Sequence, residues 1–457
     1  MFQNRDTTNR LASKFRLSVK FMKISISAII FVACASINAF AQNAAPPQTV
    51  RPRNVSSPTP TPTPRARVII TNLPSPSPTP ISTPRPSATP IQNSLPPDVP
   101  IAPLPTPTPR PLPTFYKPLS YAEIKSKISE AKRQMQARPM PTALVTGSFL
   151  VTDVIRIAYY DYKTADIDYV VMMKTAFLDK NNAEISVTTS NGSLVTVKNI
   201  RANGVNTPVM IIDQENKAHL PLLVQYPIER NGAYYETAYY ISTHPGIVTP
   251  EVVGAGKIYI RNVLDTARAN LQKKGVFISP QVTDIAERLA VVEHVDHQRF
   301  RREYHPNIFN DVFSLFALNE GQTYRYSVSS AGAGGMVQMI PWTYNMIRSR
   351  HASVGLIPDF VEGMRNHQNA AQAMLLYMQM TWSELISNET IYNAVAEKIA
   401  TPAELMSAGY NSNPAKLPGY IRRGGENWRN LIPKETQIYL QINASMDKHV
   451  PYLPRAK

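Results

Sequence analysis

The run Ser57-Pro58-Thr59-Pro60-Thr61-Pro62-Thr63-Pro64 sets the first limit on this chain, because each proline fixes φ and removes a backbone N–H, so neither a helix nor an interior strand can pass through it. The same Pro, Thr and Ser bias extends from about Gln42 to Pro118, with few bulky side chains from which to build a core. Residues 42–118 are therefore expected to form a disordered, polyproline II-rich linker. At about 3.1 Å per residue its reach is on the order of 200 Å, and a tether is its simplest use.

Ahead of the linker, Arg5, Arg10, Lys14, Arg16, Lys20 and Lys23 precede an apolar run from Ile24 to Val32, and Ala39-Phe40-Ala41 is a small-x-small cleavage pattern. Residues 1–41 read as a secretory signal peptide, with Met22 as an alternative start. The apolar run is short for a membrane span, and no stable span is expected once the signal is removed. The single cysteine, Cys34, weakly resembles a lipoprotein processing site, but Phe31 stands where such a site usually has Leu, so cleavage after Ala41 is favoured over a lipid anchor. No disulfide is then possible in the mature chain. The formal charge of +16 falls when a leader with six basic and one acidic residue is removed, yet the chain stays strongly basic. Its basic residues are scattered, with no nucleic-acid motif among them, so nucleic acid is not an expected partner.

Beyond the linker, Ser120 to Ala137 reads as a short charged helix. The composition then turns β-branched and aromatic. Ile185 to Thr189, Asn191-Gly192 and Leu194 to Lys198 give a strong hairpin signal, since Asn-Gly suits the positive φ angles of a two-residue turn. Asn231-Gly232 suggests a second, and Phe149–Ile157, Tyr169–Phe177, Val209–Ile212 and Lys257–Ile260 are further strand candidates. Together they predict a mostly β middle domain within residues 119–274, a sandwich or a barrel with flanking helices. No catalytic cluster stands out there. Tyr159-Tyr160, Tyr234-Tyr235 and Tyr239-Tyr240 fit half-buried strand positions better than a sugar-contact face.

Residues 275–457 are helical in pattern. Ile308, Phe309, Val312, Phe313, Leu315, Phe316 and Leu318 have helical spacing and place Glu320 at the C-terminal end of a helix, beside its apolar face. The carbonyl end of a helix and apolar burial both disfavour a carboxylate, so Glu320 is expected to hold its proton near neutral pH, as a general acid must. The small-residue stretch Gly332-Ala333-Gly334-Gly335 allows close approach of a ligand, and Gln338 follows it. Ala408-Gly409-Tyr410-Asn411 and Glu435-Thr436-Gln437 come later.

In this order these blocks resemble the catalytic domain of soluble lytic transglycosylases, whose fold is similar to goose-type lysozyme, over roughly residues 280–445. The resemblance implies Glu320 as the catalytic acid, Ser329 and Gln338 as residues lining a sugar cleft, Tyr410 and Asn411 as the family's Tyr-Asn pair near the acid, and Glu435 as the acid of its Glu-Thr-Arg block. It also implies cleavage of the MurNAc–GlcNAc β-1,4 bond of peptidoglycan with 1,6-anhydro-MurNAc formation, by one Glu acting as acid and then base. Three departures stand out: Gly321 in place of a Ser after the acid, Met336-Val337 for Leu-Met, and Gln437 for an Arg.

The expected architecture is thus α+β multidomain, with an α-helical lysozyme-like domain after the β domain. The expected partners are peptidoglycan glycan strands, with an envelope protein possible at the β domain, and the expected location is periplasmic or secreted. A hydrolytic muramidase and a non-catalytic wall-binding or assembly protein remain as alternatives. No cofactor and no metal are expected. Glu293, His294 and His297 have near-helical spacing, but an exposed or cleft-lining face explains them better than a metal site.

Overall fold

The computed structural model describes residues 113–138, 143–144, 147–148 and 151–456. The signal peptide, Cys34 and nearly all of the linker lie outside the described residues.

The architecture is mixed α+β: a curled antiparallel sheet, in the manner of a half-barrel, with many helices. Strands β1 (Thr114–Phe115), β2 (Val154–Asp161), β3 (Asp166–Met173), β4 (Glu184–Thr188), β5 (Leu194–Asn199), β6 (Val209–Ile212), β7 (Lys217–Arg230) and β8 (Ala233–Tyr240) make one eight-stranded sheet. Its main path runs β3-β2-β7-β6-β5-β4, and β1 and β8 also pair with β7. Only β1 is parallel to its neighbour, with Thr114 opposite Lys217 and Phe115 opposite Ala218. The last residues assigned to the linker are therefore part of the sheet.

Both Asn-Gly pairs lie in hairpin turns, but only Asn231-Gly232 forms the expected two-residue turn; at the other, Gly192 alone has positive φ and the turn is longer, with Thr189 N bonding Ser193 O. Thr188 pairs with Leu194 across the turn containing Gly192 (φ +84°), and Arg230 pairs with Ala233 across Asn231 (φ +53°) and Gly232 (φ +75°). β7 is buried over most of its length because it is covered on both faces. Adjacent Leu223 and Val224 face opposite sides: Val224 and Tyr226 join Ile155, Ile157 and Tyr159 in one apolar cluster, while Leu223 joins another with Ile124, Ala131 and Met135, and a register shift where Ala158 faces Leu223 and Tyr159 faces Pro221 brings Leu220 and Leu222 to that second side. The latter three lie on helix α1 (Tyr121–Ala137), which starts at a capping box between Ser120 and Glu123.

The helical body comprises α2 (Pro250–Lys273), α3 (Pro280–Val292), α4 (His305–Leu318), α5 (Pro341–Arg350), α6 (His367–Ile386), α7 (Pro402–Asn411) and α8 (Lys434–His449), with shorter turns between them. Lys257–Ile260, read as a strand from its sequence, lies inside α2. The four-residue window hides the longer period: Val252, Val253, Gly256, Ile260, Val263, Leu264, Ala267 and Leu271 form one buried helical stripe. Gly256 is required where α2 crosses α4, because a Cβ there would collide with the Phe313 carbonyl. Packing places α2 with the helices, since Ile260, Val263 and Leu264 share a core with Leu289, Phe309 and Phe316. Sheet and helices also share a core, in which Leu220 and Ile241 meet Ala317 and Leu318.

Candidate active site

Helix ends and one loop converge on a cavity of about 560 Å³. Glu293 enters from the C-terminal end of α3, Tyr377 from α6, Tyr410 and Asn411 from the end of α7, and Glu435 and Tyr439 from the start of α8. Ser329 and Gln338 come from the loop between α4 and α5. This loop is held by backbone bonds from Ser329 N to Ala333 O (2.9 Å), Gly335 N to Ser327 O (3.1 Å) and Gly334 N to Met339 O (3.1 Å). Gly335 has φ +67° and lies so close to α6's approach segment that a Cβ would collide with the Met364 carbonyl. Gln338 adopts a left-handed conformation (φ +45°), and its amide donates to Gly335 O at 2.9 Å and Ser327 Oγ at 3.2 Å, closing the loop on itself.

Glu293 is the chemically distinctive group. Withdrawal from water pushes its carboxyl up to about 8, and the nearby Glu435 adds to the rise. Tyr439 donates its O–H to Glu293 Oε1 at 2.6 Å, which opposes the rise by favouring the carboxylate. Tyr410 donates to the Val337 carbonyl at 2.7 Å and meets Tyr377 edge-on at 5.7 Å, so it ties the loop to α7. Burial lifts the Tyr410 hydroxyl well above its ordinary value, as does the neighbouring Glu293. Thr436 donates to Asn411 Oδ1 at 2.8 Å and fixes the amide's orientation. Trp342 stands 71% exposed at the mouth of the same cavity.

Five of the residues singled out from the sequence, Ser329, Gln338, Tyr410, Asn411 and Glu435, line this one cavity. Glu320 does not join them. Its side chain is 45% exposed and forms an ion pair with Lys125 of α1 at 3.2 Å. The expected apolar setting is missing because Asn319, which ends α4, bonds through its side chain to Ile241 N (2.8 Å) and Ile241 O (2.9 Å), anchoring the helix end on the sheet and leaving the next residue in solvent. The buried carboxyl of the cavity, beside the second acid Glu435, is Glu293, and its sequence signal is the apolar run Leu289-Ala290-Val291-Val292 leading straight into an acid.

His294 faces away from the cavity's polar groups. It stacks on Tyr324 with ring centroids 3.4 Å apart, and Nε2 donates to the Met336 carbonyl at 2.9 Å. Burial pushes it down to about 3, so it is a neutral strut for the loop. Among the described residues no group of His, Cys, Asp and Glu is gathered to hold a metal ion. No family model, curated protein or solved structure matches this chain.

Proposed function

We propose that this cavity cleaves glycosidic bonds of peptidoglycan, that Glu293 is its single acid and base, and that the protein acts as an exported lytic transglycosylase of the bacterial cell envelope. The helical body is then the lysozyme-like domain that the sequence resemblance implies, and the role assigned there to Glu320 passes to Glu293. One observation carries this reading: a carboxyl raised to about 8 opens into a cleft shared with Ser329, Gln338, Tyr410, Asn411 and Glu435. A carboxyl of that kind is protonated at neutral pH and can deliver its proton to a leaving oxygen.

In the proposed reaction Glu293 protonates the glycosidic oxygen as the bond to MurNAc C1 breaks, and the sugar's 2-acetamido group stabilises the positive charge that develops. The resulting Glu293 carboxylate is stabilised by the Tyr439 O–H. It then removes the proton from the C6 hydroxyl, which attacks C1 and closes a 1,6-anhydro ring, so no water is consumed. Mass spectrometry of products from purified sacculi tests this. Anhydro ends that are lost in Glu293→Gln support it, ends one water heavier give a hydrolytic muramidase, and equal release by both proteins overturns the assignment of Glu293.

A further inference from the structure

A second cavity, of about 580 Å³, opens on the other side of Glu293 and shares Glu293 and Val295 with the first. Each has the size of an ordinary ligand pocket, roughly 300–1,000 Å³. The outer wall of the second cavity does not come from the helical body: it is the 201–206 segment that joins β5 to β6, ending in a 3-10 turn at Gly204–Asn206. This wall is held in place. The buried Thr207 hydroxyl accepts from Asn203 N at 2.9 Å and donates to Gly204 O at 2.8 Å, and Val205 packs into the apolar core.

Two cations line this cavity, and they are not equivalent. Arg299 is neutralised, with Glu303 and Asp311 each accepting from it at 2.7 Å. Asp296 is occupied in capping the turn at His297–Phe300, accepting from Gln298 N and Arg299 N. Arg201 is half-buried and among the described residues forms no ion pair: Arg299 is its strongest charged neighbour, while Asp311, Asp296 and Glu303 attract it from beyond ion-pair distance and are engaged with Arg299 or with the cap of its turn. A guanidinium held partly out of water, whose neighbouring carboxylates are committed elsewhere, can take a carboxylate ligand with both arms of its fork.

We propose that this cavity is the second half of the substrate cleft, and that Arg201, supplied by the sheet, binds a carboxylate of the peptide stem carried by the glycan. The proposal rests on the glycan-cleaving reading, since that reading supplies a substrate with neutral sugars and acidic stems. It makes the sheet a wall of the cleft, not a separate docking module.

The test uses the full chain with Glu293→Gln, so that nothing turns over, and compares it with the same chain also carrying Arg201→Gln. Calorimetry measures binding of a disaccharide-tetrapeptide fragment and of the same disaccharide with the peptide replaced by a methylamide on the lactyl group, so that the control carries no carboxylate. The expected result is an affinity loss of about tenfold for the peptide-bearing fragment relative to that control, shrinking at high salt. Arg201→Lys keeps the charge without the fork and should fall between the two, and thermal melts confirm that each variant is folded. Equal losses for both fragments, no loss for either, or no binding of the peptide-bearing fragment at all overturns the proposal. Muropeptide release by the unmodified chain is read separately: its absence takes down the glycan-cleaving reading, whereas release accompanied by an unchanged fragment preference takes down only the role of Arg201.

Discussion

Replacing Glu293 by Gln should stabilise the protein by an amount that grows with pH. In the folded chain this carboxyl titrates at about 8, against an ordinary value of 4.5. Between those values the folded state keeps a proton that the unfolded chain has released, so stability falls as pH rises through the window, by about 1.4 kcal/mol per unit. The loss sums to about 5 kcal/mol once pH exceeds the folded value, and is about 3 kcal/mol at neutral pH. An amide does not titrate and can still accept the Tyr439 O–H, so Glu293→Gln escapes the loss without giving up the hydrogen bond. Denaturant unfolding of both proteins at a series of pH values from about 4.5 to 9 reads the difference, and the other titrating groups cancel because they are common to both. The two stabilities should nearly coincide at the acid end and diverge towards the alkaline end. A difference that stays flat with pH would show that the carboxyl is not held protonated by burial, and the general-acid argument would fall with it.

For the proposed reaction of the unmodified protein, kcat/KM should decline as pH rises through about 8, because free Glu293 loses the proton it must donate; an alkaline limb near the ordinary carboxylate range would refute this. Tyr439→Phe removes a donor that favours the carboxylate, so that limb should move to higher pH, and a downward shift would contradict the hydrogen bond's assigned effect. Glu320→Gln breaks only an exposed ion pair with Lys125; stability should change by less than about 1 kcal/mol and muropeptide release should persist, whereas loss of release in a folded variant would return the acid's role to Glu320. Gly335→Ala places a Cβ against the Met364 carbonyl at positive φ and should cost about 2 kcal/mol or more in thermal unfolding, with an unchanged melting temperature arguing against the close approach.

The parts of the fold that were legible in the sequence are those governed by local chemistry. The capping box at Ser120, the hairpins at Asn191-Gly192 and Asn231-Gly232, and the helical stripe of α4 all depend on residues within a few positions of each other. The strand reading of Lys257–Ile260 failed because its window was shorter than the helical period that governs α2. Composition changes near residue 274, but it cannot register that α2 buries Ile260 and Leu264 among the helices. The same limit applied at the site. Ser329, Gln338, Tyr410, Asn411 and Glu435 were found as a set, but deciding which acid they surround needed the tertiary fold. Glu320 and Glu293 each follow an apolar helix; only the docking of Asn319 on Ile241 and of α8 beside α3 leaves one in solvent and encloses the other.

The position of α1 has a consequence for the order in which the chain acquires structure. Its buried residues Ile124, Ala131 and Met135 belong to a cluster completed by Ala317 and Leu318, and Tyr121 bonds both Glu251 and the Ala317 carbonyl. A nascent chain that folds from its N-terminus has formed the α1 sequence long before those partners exist. Until synthesis passes Leu318, the apolar stripe of α1 lacks the far side of its pocket, and closing so long a loop is a slow, entropically costly step. Folding of sheet and helices should therefore finish as one late event, with α1 as the last element protected from hydrogen exchange and the segment most exposed to proteases and chaperones beforehand.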